Sequence, residues 1–362
     1  MRKITTILIL SLFYAAGNSQ VHVEGAATTG VLVQRNFRGI GSLIKERPYA
    51  YSLGVSLQTD SCQTWAEFYN YPRYGVELLF FSPGNPEDIG QIYCAIPYMR
   101  FSLGRKNYLF NPVLRVGIGL GYVTKPFDID NNYRNIILSS RWNAAATFNF
   151  DVEARLSNRI SLRSGVGLVH LSNGASKMPN QGVNIFTGSI AASYAFGEEA
   201  ARLYKDTPDE PKPARQMHID LFLFGGQKES RVLFDGEKYG MAAFSAQGSY
   251  RYKSQSAVGA CVDLFYDSSK HLEILKEDSV SISRWQTLQP GLALSHEFFF
   301  GRLSAFLQCG VYIPLNKYND QIAYQRLALR YAASNRIRLH FGLKNHLFVA
   351  DHIELGLGVR VF

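Results

Sequence analysis

The sequence predicts an all-β fold: a transmembrane antiparallel β-barrel built from an exported chain. Three observations carry this. The first nineteen residues read as an export signal, with Arg2 and Lys3 ahead of the short apolar stretch Ile4 to Ala16, then Gly17 and Ser19 before Gln20; that stretch is too short to cross a bilayer as a helix. No later segment has about 18 uninterrupted apolar residues, so membrane residence has to come from strands. Finally, apolar and polar residues alternate through most of a chain with 21 Tyr, 24 Phe and 31 Gly, which suits strands with one lipid-facing and one polar face.

The elements follow from that alternation. In 146–155, Ala146, Phe148, Phe150, Val152 and Ala154 share one face, and Thr147, Asn149, Asp151, Glu153 and Arg155 the other. Strands are expected near 21–33, 50–58, 73–81, 91–103, 109–123, 141–155, 159–170 and 183–196. A second set is expected near 216–226, 239–253, 256–266, 283–298, 301–313, 321–333, 336–344 and 351–361. Short connections (104–108, 156–158, 254–255, 299–300, 334–335) alternate with mostly longer ones (34–49, 124–140, 171–182, 267–282, 314–320), as inner turns and outer loops do in outer-membrane barrels. The chain closes on Val361-Phe362, an aromatic end of the kind such barrels carry.

The halves are related. Ser157-Asn158-Arg159-Ile160 is followed by His170, and Ser334-Asn335-Arg336-Ile337 by His346 at nearly the same distance. Between them lies a charged segment with Pro208, Pro211 and Pro213, which reads as a linker. The expected organisation is a signal (1–19), a first barrel unit (20–196), a linker (197–215) and a second barrel unit (216–362). Tandem eight-stranded barrels and one sixteen-stranded barrel both fit, and the long linker favours the tandem.

The formal net charge of +9 suits anionic partners such as lipid phosphates; nothing points to nucleic acid. Cys62, Cys94, Cys261 and Cys309 show no metal-ligand spacing, and the last three read as packing residues within strands. Arg115 to Gly121 mimics a glycine-rich phosphate loop, but the alternation makes it a strand. Asp128 to Asn132 reads as a solvated loop rather than a calcium site. His340, His346 and His352 do not share a strand face at ligand distance. Asp151, Glu153, Arg155 and Arg163 face inward as a charge network filling a narrow barrel. Lys45, Glu46 and Arg47 sit in an outer loop, solvated or touching a lipid phosphate.

Chemistry is expected at His170-Leu171-Ser172-Asn173. Residues two apart on a strand share a face, and a base beside a hydroxyl is the minimum apparatus for nucleophilic ester cleavage. The same parity turns Asn184, on the next strand, toward the outer wall. Ser172 would attack an acyl ester and His170 take its proton. Asn184 would fix the imidazole tautomer by accepting a hydrogen bond. Backbone N–H groups around Asn173 and Gly174, or the amide of Asn180, would hold the oxyanion.

His170-x-Ser172-Asn173, then Pro179-Asn180 and an outward-facing strand, resembles the outer-membrane lipid A 3-O-deacylase family (PagL type, acyloxyacyl hydrolase-like). The resemblance implies an eight-stranded barrel in the cell outer membrane. Its Ser-His-Glu site on the outer wall would remove an ester-linked acyl chain from the lipid A of lipopolysaccharide without metal or other cofactor. It makes His170 the base and Ser172 the nucleophile, and associates Gly174 and Asn180 with the oxyanion hole. The chain departs at Asn184, where the family has its acid. In the second half Phe348 stands two after His346, where a serine would be needed, so that half is expected to be non-catalytic. The rival expectations are a structural or porin-like barrel without catalysis, and an esterase acting on glycerophospholipid. Oligomeric state is left open.

Overall fold

Among the described residues the alternation folds into sixteen antiparallel strands. The computed structural model describes residues 20–33, 43–60, 63–104, 109–197, 216–315, 321–347 and 349–362; the expected signal, nearly all of the linker, Cys62 and Phe348 lie outside the described residues. The first eight strands are β1 (Val21–Leu32), β2 (Tyr49–Gln58), β3 (Arg73–Ser82), β4 (Ile92–Ser102), β5 (Phe110–Val123), β6 (Trp142–Arg155), β7 (Ile160–Ser172) and β8 (Val183–Phe196). The second eight are β9 (Gln216–Glu229), β10 (Lys238–Lys253), β11 (Ser256–Asp267), β12 (Gln289–Phe300), β13 (Leu303–Tyr312), β14 (Ala323–Ala332), β15 (Ile337–His346) and β16 (Val349–Arg360). β1 pairs with β8 and β9 with β16, so each set closes on itself. Closure leaves no sheet edge unpaired, which is what allows a sheet to sit in lipid. The single sixteen-stranded barrel does not form. The chain divides into two compact units, β1–β8 and β9–β16, the second also including Gly174–Met178.

In the first unit the outward face is apolar: Leu53, Val55, Leu78, Ile118, Leu120, Phe148, Val166, Leu168, Phe186 and Ile190 are exposed, as a lipid-facing band requires. Around one end, Tyr51, Phe80, Tyr93, Tyr122 and Trp142 are successive cross-strand partners, an aromatic girdle of the interfacial kind. Toward that end the interior is apolar: Phe81, Ile92, Val123, Val169, Leu171, Val183 and Ile185 pack with the loop residues Leu43, Ile89, Ile137 and Leu138. Toward the other end it is ionic. Arg163 bridges Asp151 (2.5 Å) and Glu24 (2.6 Å), Arg100 bridges Glu153 (2.7 Å) and Glu24 (3.3 Å), and Arg115 meets Glu77. Charges this deep are tolerable only because each is paired. Arg155, expected inside with them, is exposed at the strand end instead, its Nε donating to the Ser157 carbonyl (3.4 Å).

The second barrel is also filled. Arg326 is held by Glu354 (2.6 Å), and Arg330 lies 3.4 Å from the centroid of Phe306 and 4.2 Å from that of Phe222, where cation–π attraction replaces water. Three sequence expectations need correction here. The strand expected from 283 begins at Gln289, because Ser283 opens a 3-10 turn (Arg284–Thr287) through a reciprocal cap with Gln286. The preceding loop carries a helix, α1 (Lys270–Asp278). Cys309 does not pack inside: it is exposed, whereas Cys94 and Cys261 are buried.

Candidate functional site

Register builds the site. β7 and β8 pair from Ile160↔Tyr194 to Leu171↔Val183, which sets His170 directly opposite Asn184. Val169, Leu171, Val183 and Ile185 are locked into the apolar interior, so Leu168 and His170 on one strand, and Asn184 and Phe186 on the other, take the outer wall. A one-residue slip would drive His170 into that interior, costing on the order of 2 kcal/mol or more for each polar group left without a partner.

Facing side chains on adjacent strands lie about 5 Å apart at Cβ, and here they meet. His170 Nδ1 is 2.7 Å from Asn184 Oδ1, and His170 Nε2 is 3.2 Å from Ser172 Oγ. An amide oxygen can only accept, so Nδ1 carries the hydrogen and Nε2 presents its lone pair to the Ser172 hydroxyl. The sequence-expected trio is therefore a connected relay, with an amide where a carboxylate would complete a triad. β6 flanks it with small side chains, Ala146 across from His170 and Ala144 across from Ser172. Across from these alanines β5 presents the exposed Ile118 and Leu120.

Ser172 differs from expectation in exposure. Although its parity is outward, it is only 5 % exposed. Gly182 packs against it: a Cβ added there would sit 3.1 Å from the Leu171 carbonyl oxygen, 3.5 Å from His170 Cε1 and 3.6 Å from Ser172 Cβ. Gly182 has φ +74° and donates its N–H to the Ile137 carbonyl (3.0 Å). The sequence reading missed this residue. Its signal was a glycine two positions before an outward polar residue, at a loop-to-strand junction.

The oxyanion candidates are placed unequally. The Asn173 N–H donates to Asn180 Oδ1 (3.3 Å), so that N–H is engaged. The same bond orients the Asn180 amide and leaves its NH₂ as the donor end. Asn173 is itself fixed by donation from Nδ2 to Ser139 Oγ (3.0 Å). Gly174 (φ +62°) and Ala175 (φ +63°) form a double left-handed turn after β7, in the segment grouped with the second unit.

The second unit does not repeat this arrangement. Ten residues separate Ile160 from His170, but nine separate Ile337 from His346. With a period of two, the odd count turns His346 to the opposite face, where its Nε2 lies 2.7 Å from Tyr312 Oη inside the barrel. His340 accepts from Arg330 (3.1 Å), and His352 is held by Asp351 (3.1 Å) and Glu354 (3.4 Å). Among the described residues no group of three or more His, Cys, Asp or Glu has metal-holding geometry.

Residues 49–193 match the family described as lipid A 3-O-deacylase (PagL), and residues 217–362 match the acyloxyacyl hydrolase C-terminal domain, also of PagL type. The chain belongs to the PagL family. It is an outer-membrane β-barrel protein of a lipid A deacylase family. No curated protein sequence matches it. Among solved structures, this PagL-family chain is similar to Neisserial surface protein A (10 % identity, 49 % of this chain and 96 % of that one, TM-score 0.31). It is also similar to the outer membrane enzyme PagL (15 % identity, 46 % and 97 %, TM-score 0.30).

Proposed function

We propose that this protein is a serine esterase that removes an ester-linked acyl chain from the lipid A of lipopolysaccharide. Ser172 is the nucleophile, His170 the base and Asn184 the residue that fixes the imidazole. The observation that carries the proposal is the relay from Asn184 Oδ1 through the imidazole to Ser172 Oγ, built on the outer wall. Polar groups on a lipid-facing wall are costly without a purpose, and a substrate that is itself a lipid supplies one.

Ser172 Oγ forms a bond to the ester carbonyl carbon while its proton passes to His170 Nε2. The tetrahedral oxyanion is held by the Asn180 NH₂. The carbon–oxygen bond to the sugar then breaks, and His170 returns the proton to the departing alcohol. Water, activated by the same imidazole, hydrolyses the acyl-serine. The small side chains of Ala144 and Ala146, beside the apolar Ile118 and Leu120, give the acyl chain a place against the wall. The second unit, whose His346 faces inward, takes no part in the chemistry.

The test is mass spectrometry of lipid A incubated with the refolded protein, beside Ser172→Ala and His170→Ala. Loss of one ester-linked acyl chain with the wild type, absent in both variants, is the expected result. Turnover by a folded Ser172→Ala variant would overturn the assignment. Release of fatty acid from phosphatidylethanolamine vesicles with lipid A left intact would move the substrate to glycerophospholipid.

A further inference from the structure

Arg141 begins the turn into β6, one position before Trp142 in the aromatic girdle. Its Nη1 donates to the hydroxyl of Tyr122 (3.1 Å), and Tyr122 packs edge-on against Trp142 with ring centroids 5.2 Å apart. Arg141 is exposed and has no carboxylate partner among the described residues. The buried arginines of this barrel are different: Arg100, Arg115 and Arg163 each meet Glu or Asp, as does the part-buried Arg73. Loop cations are engaged too: Lys45 with Glu87, and Lys125 with the Glu87 carbonyl (2.9 Å).

Position gives this cation a meaning. Tyr and Trp of such a girdle sit at the level of lipid headgroups, so the guanidinium stands where headgroup anions lie. It is also beside the candidate site. Ser172 is across from Ala144, and Ala144 is across from Leu120, two residues from Tyr122. The lateral offset from the nucleophile's strand to Tyr122 is two strand spacings, about 10 Å. An ester bound at Ser172 through one sugar therefore puts the rest of a disaccharide headgroup within reach of Arg141. A planar guanidinium with an aromatic hydroxyl fixing one edge offers its remaining N–H groups as a fork, the geometry that suits phosphate.

We propose that Arg141, hydrogen-bonded to Tyr122, is a subsite for a phosphate monoester on the sugar headgroup of the lipid substrate. The proposal rests on the esterase reading for the position of the ester, but its binding test does not require turnover. The Ser172→Ala protein, in neutral detergent without phospholipid, is titrated with phosphorylated lipid A and with the same lipid A enzymatically dephosphorylated, with and without Arg141→Gln. The expected result is a 5- to 20-fold weaker Kd when either the phosphates or the guanidinium are removed, and little further loss when both are. In the protein that retains Ser172, Arg141→Gln should raise KM on phosphorylated lipid A by a similar factor and leave kcat within about twofold. Arg141→Gln binding the two lipids with the same preference as the parent would overturn the proposal, as would equal weakening for both. Absence of turnover together with phosphate-dependent, Arg141-dependent binding would sink the esterase reading and leave this subsite standing.

Discussion

If His170 and Ser172 act as proposed, Asn184 is the position where their chemistry can be strengthened by one atom. Asn184→Asp preserves shape and keeps an oxygen at the point now 2.7 Å from His170 Nδ1, but converts an amide acceptor into a carboxylate. On the proposed mechanism the imidazole becomes a cation when Ser172 gives up its proton, and only then does the difference count. A hydrogen bond to a neutral acceptor contributes about 1 kcal/mol net and a charge-assisted one about 1.5–3. Two unit charges about 5 Å apart at an effective dielectric near 20 attract by about 3 kcal/mol, an upper bound for a half-buried pair. A net transition-state gain of about 1–2 kcal/mol corresponds to a kcat increase of about 5- to 30-fold. An added carboxylate near the interface of a barrel wall costs only about 0–1 kcal/mol of stability, so the variant should fold. The assay is single-turnover release of the acyl chain from lipid A in mixed micelles, with heat-modifiable migration on gels as the check on folding. A folded Asn184→Asp protein with an unchanged or slower rate would refute the role given to Asn184. Asn184→Leu, which leaves Nδ1 without a partner, should lose at least tenfold, a loss of about 1.4 kcal/mol.

Two further outcomes are expected. Gly182→Ala should cost about 1–2 kcal/mol of stability from its left-handed backbone and also lower kcat, since the added methyl would crowd the Leu171 carbonyl oxygen at 3.1 Å, on the backbone between His170 and Ser172; denaturant titration beside the deacylation assay separates the two effects. His346→Ala in the second unit should leave the deacylation rate within about twofold, and a loss comparable to that of His170→Ala would contradict the inward placement of His346.

Much of this was legible because period-two alternation fixes faces as well as strands. Reading Arg163 as inward was enough to turn His170 to the outer wall, and the same parity turned Asn184 outward on the next strand; the register that sets the two directly opposite each other came only with the structure. The same counting applied to the second half would have separated His346 from His170, since nine and ten differ in parity. The 3-10 turn at Arg284–Thr287 had a local signal, Ser283 followed three residues later by Gln286, which the surrounding alternation obscured. α1 was likewise readable in the pattern of Leu272 and Leu275, with the buried Ile274 between them. Other features were not local at all. Gly182 approaches His170 and Ser172 from the loop after β7, and the Asn173 N–H is engaged by Asn180 Oδ1 across that same loop.

The outward placement of His170 and Asn184 changes what concentration means for this protein. A pocket that opens to water samples molecules per volume, whereas a site on the wall of a barrel samples neighbours within one leaflet. Its encounters are two-dimensional, and saturation is set by mole fraction in the membrane. Detergent micelles dilute that fraction as surely as buffer dilutes a soluble substrate. On the proposed mechanism a released fatty acid stays in the same plane and competes for the same wall, so product accumulation, lipid packing and membrane fluidity become kinetic variables alongside the side chains themselves.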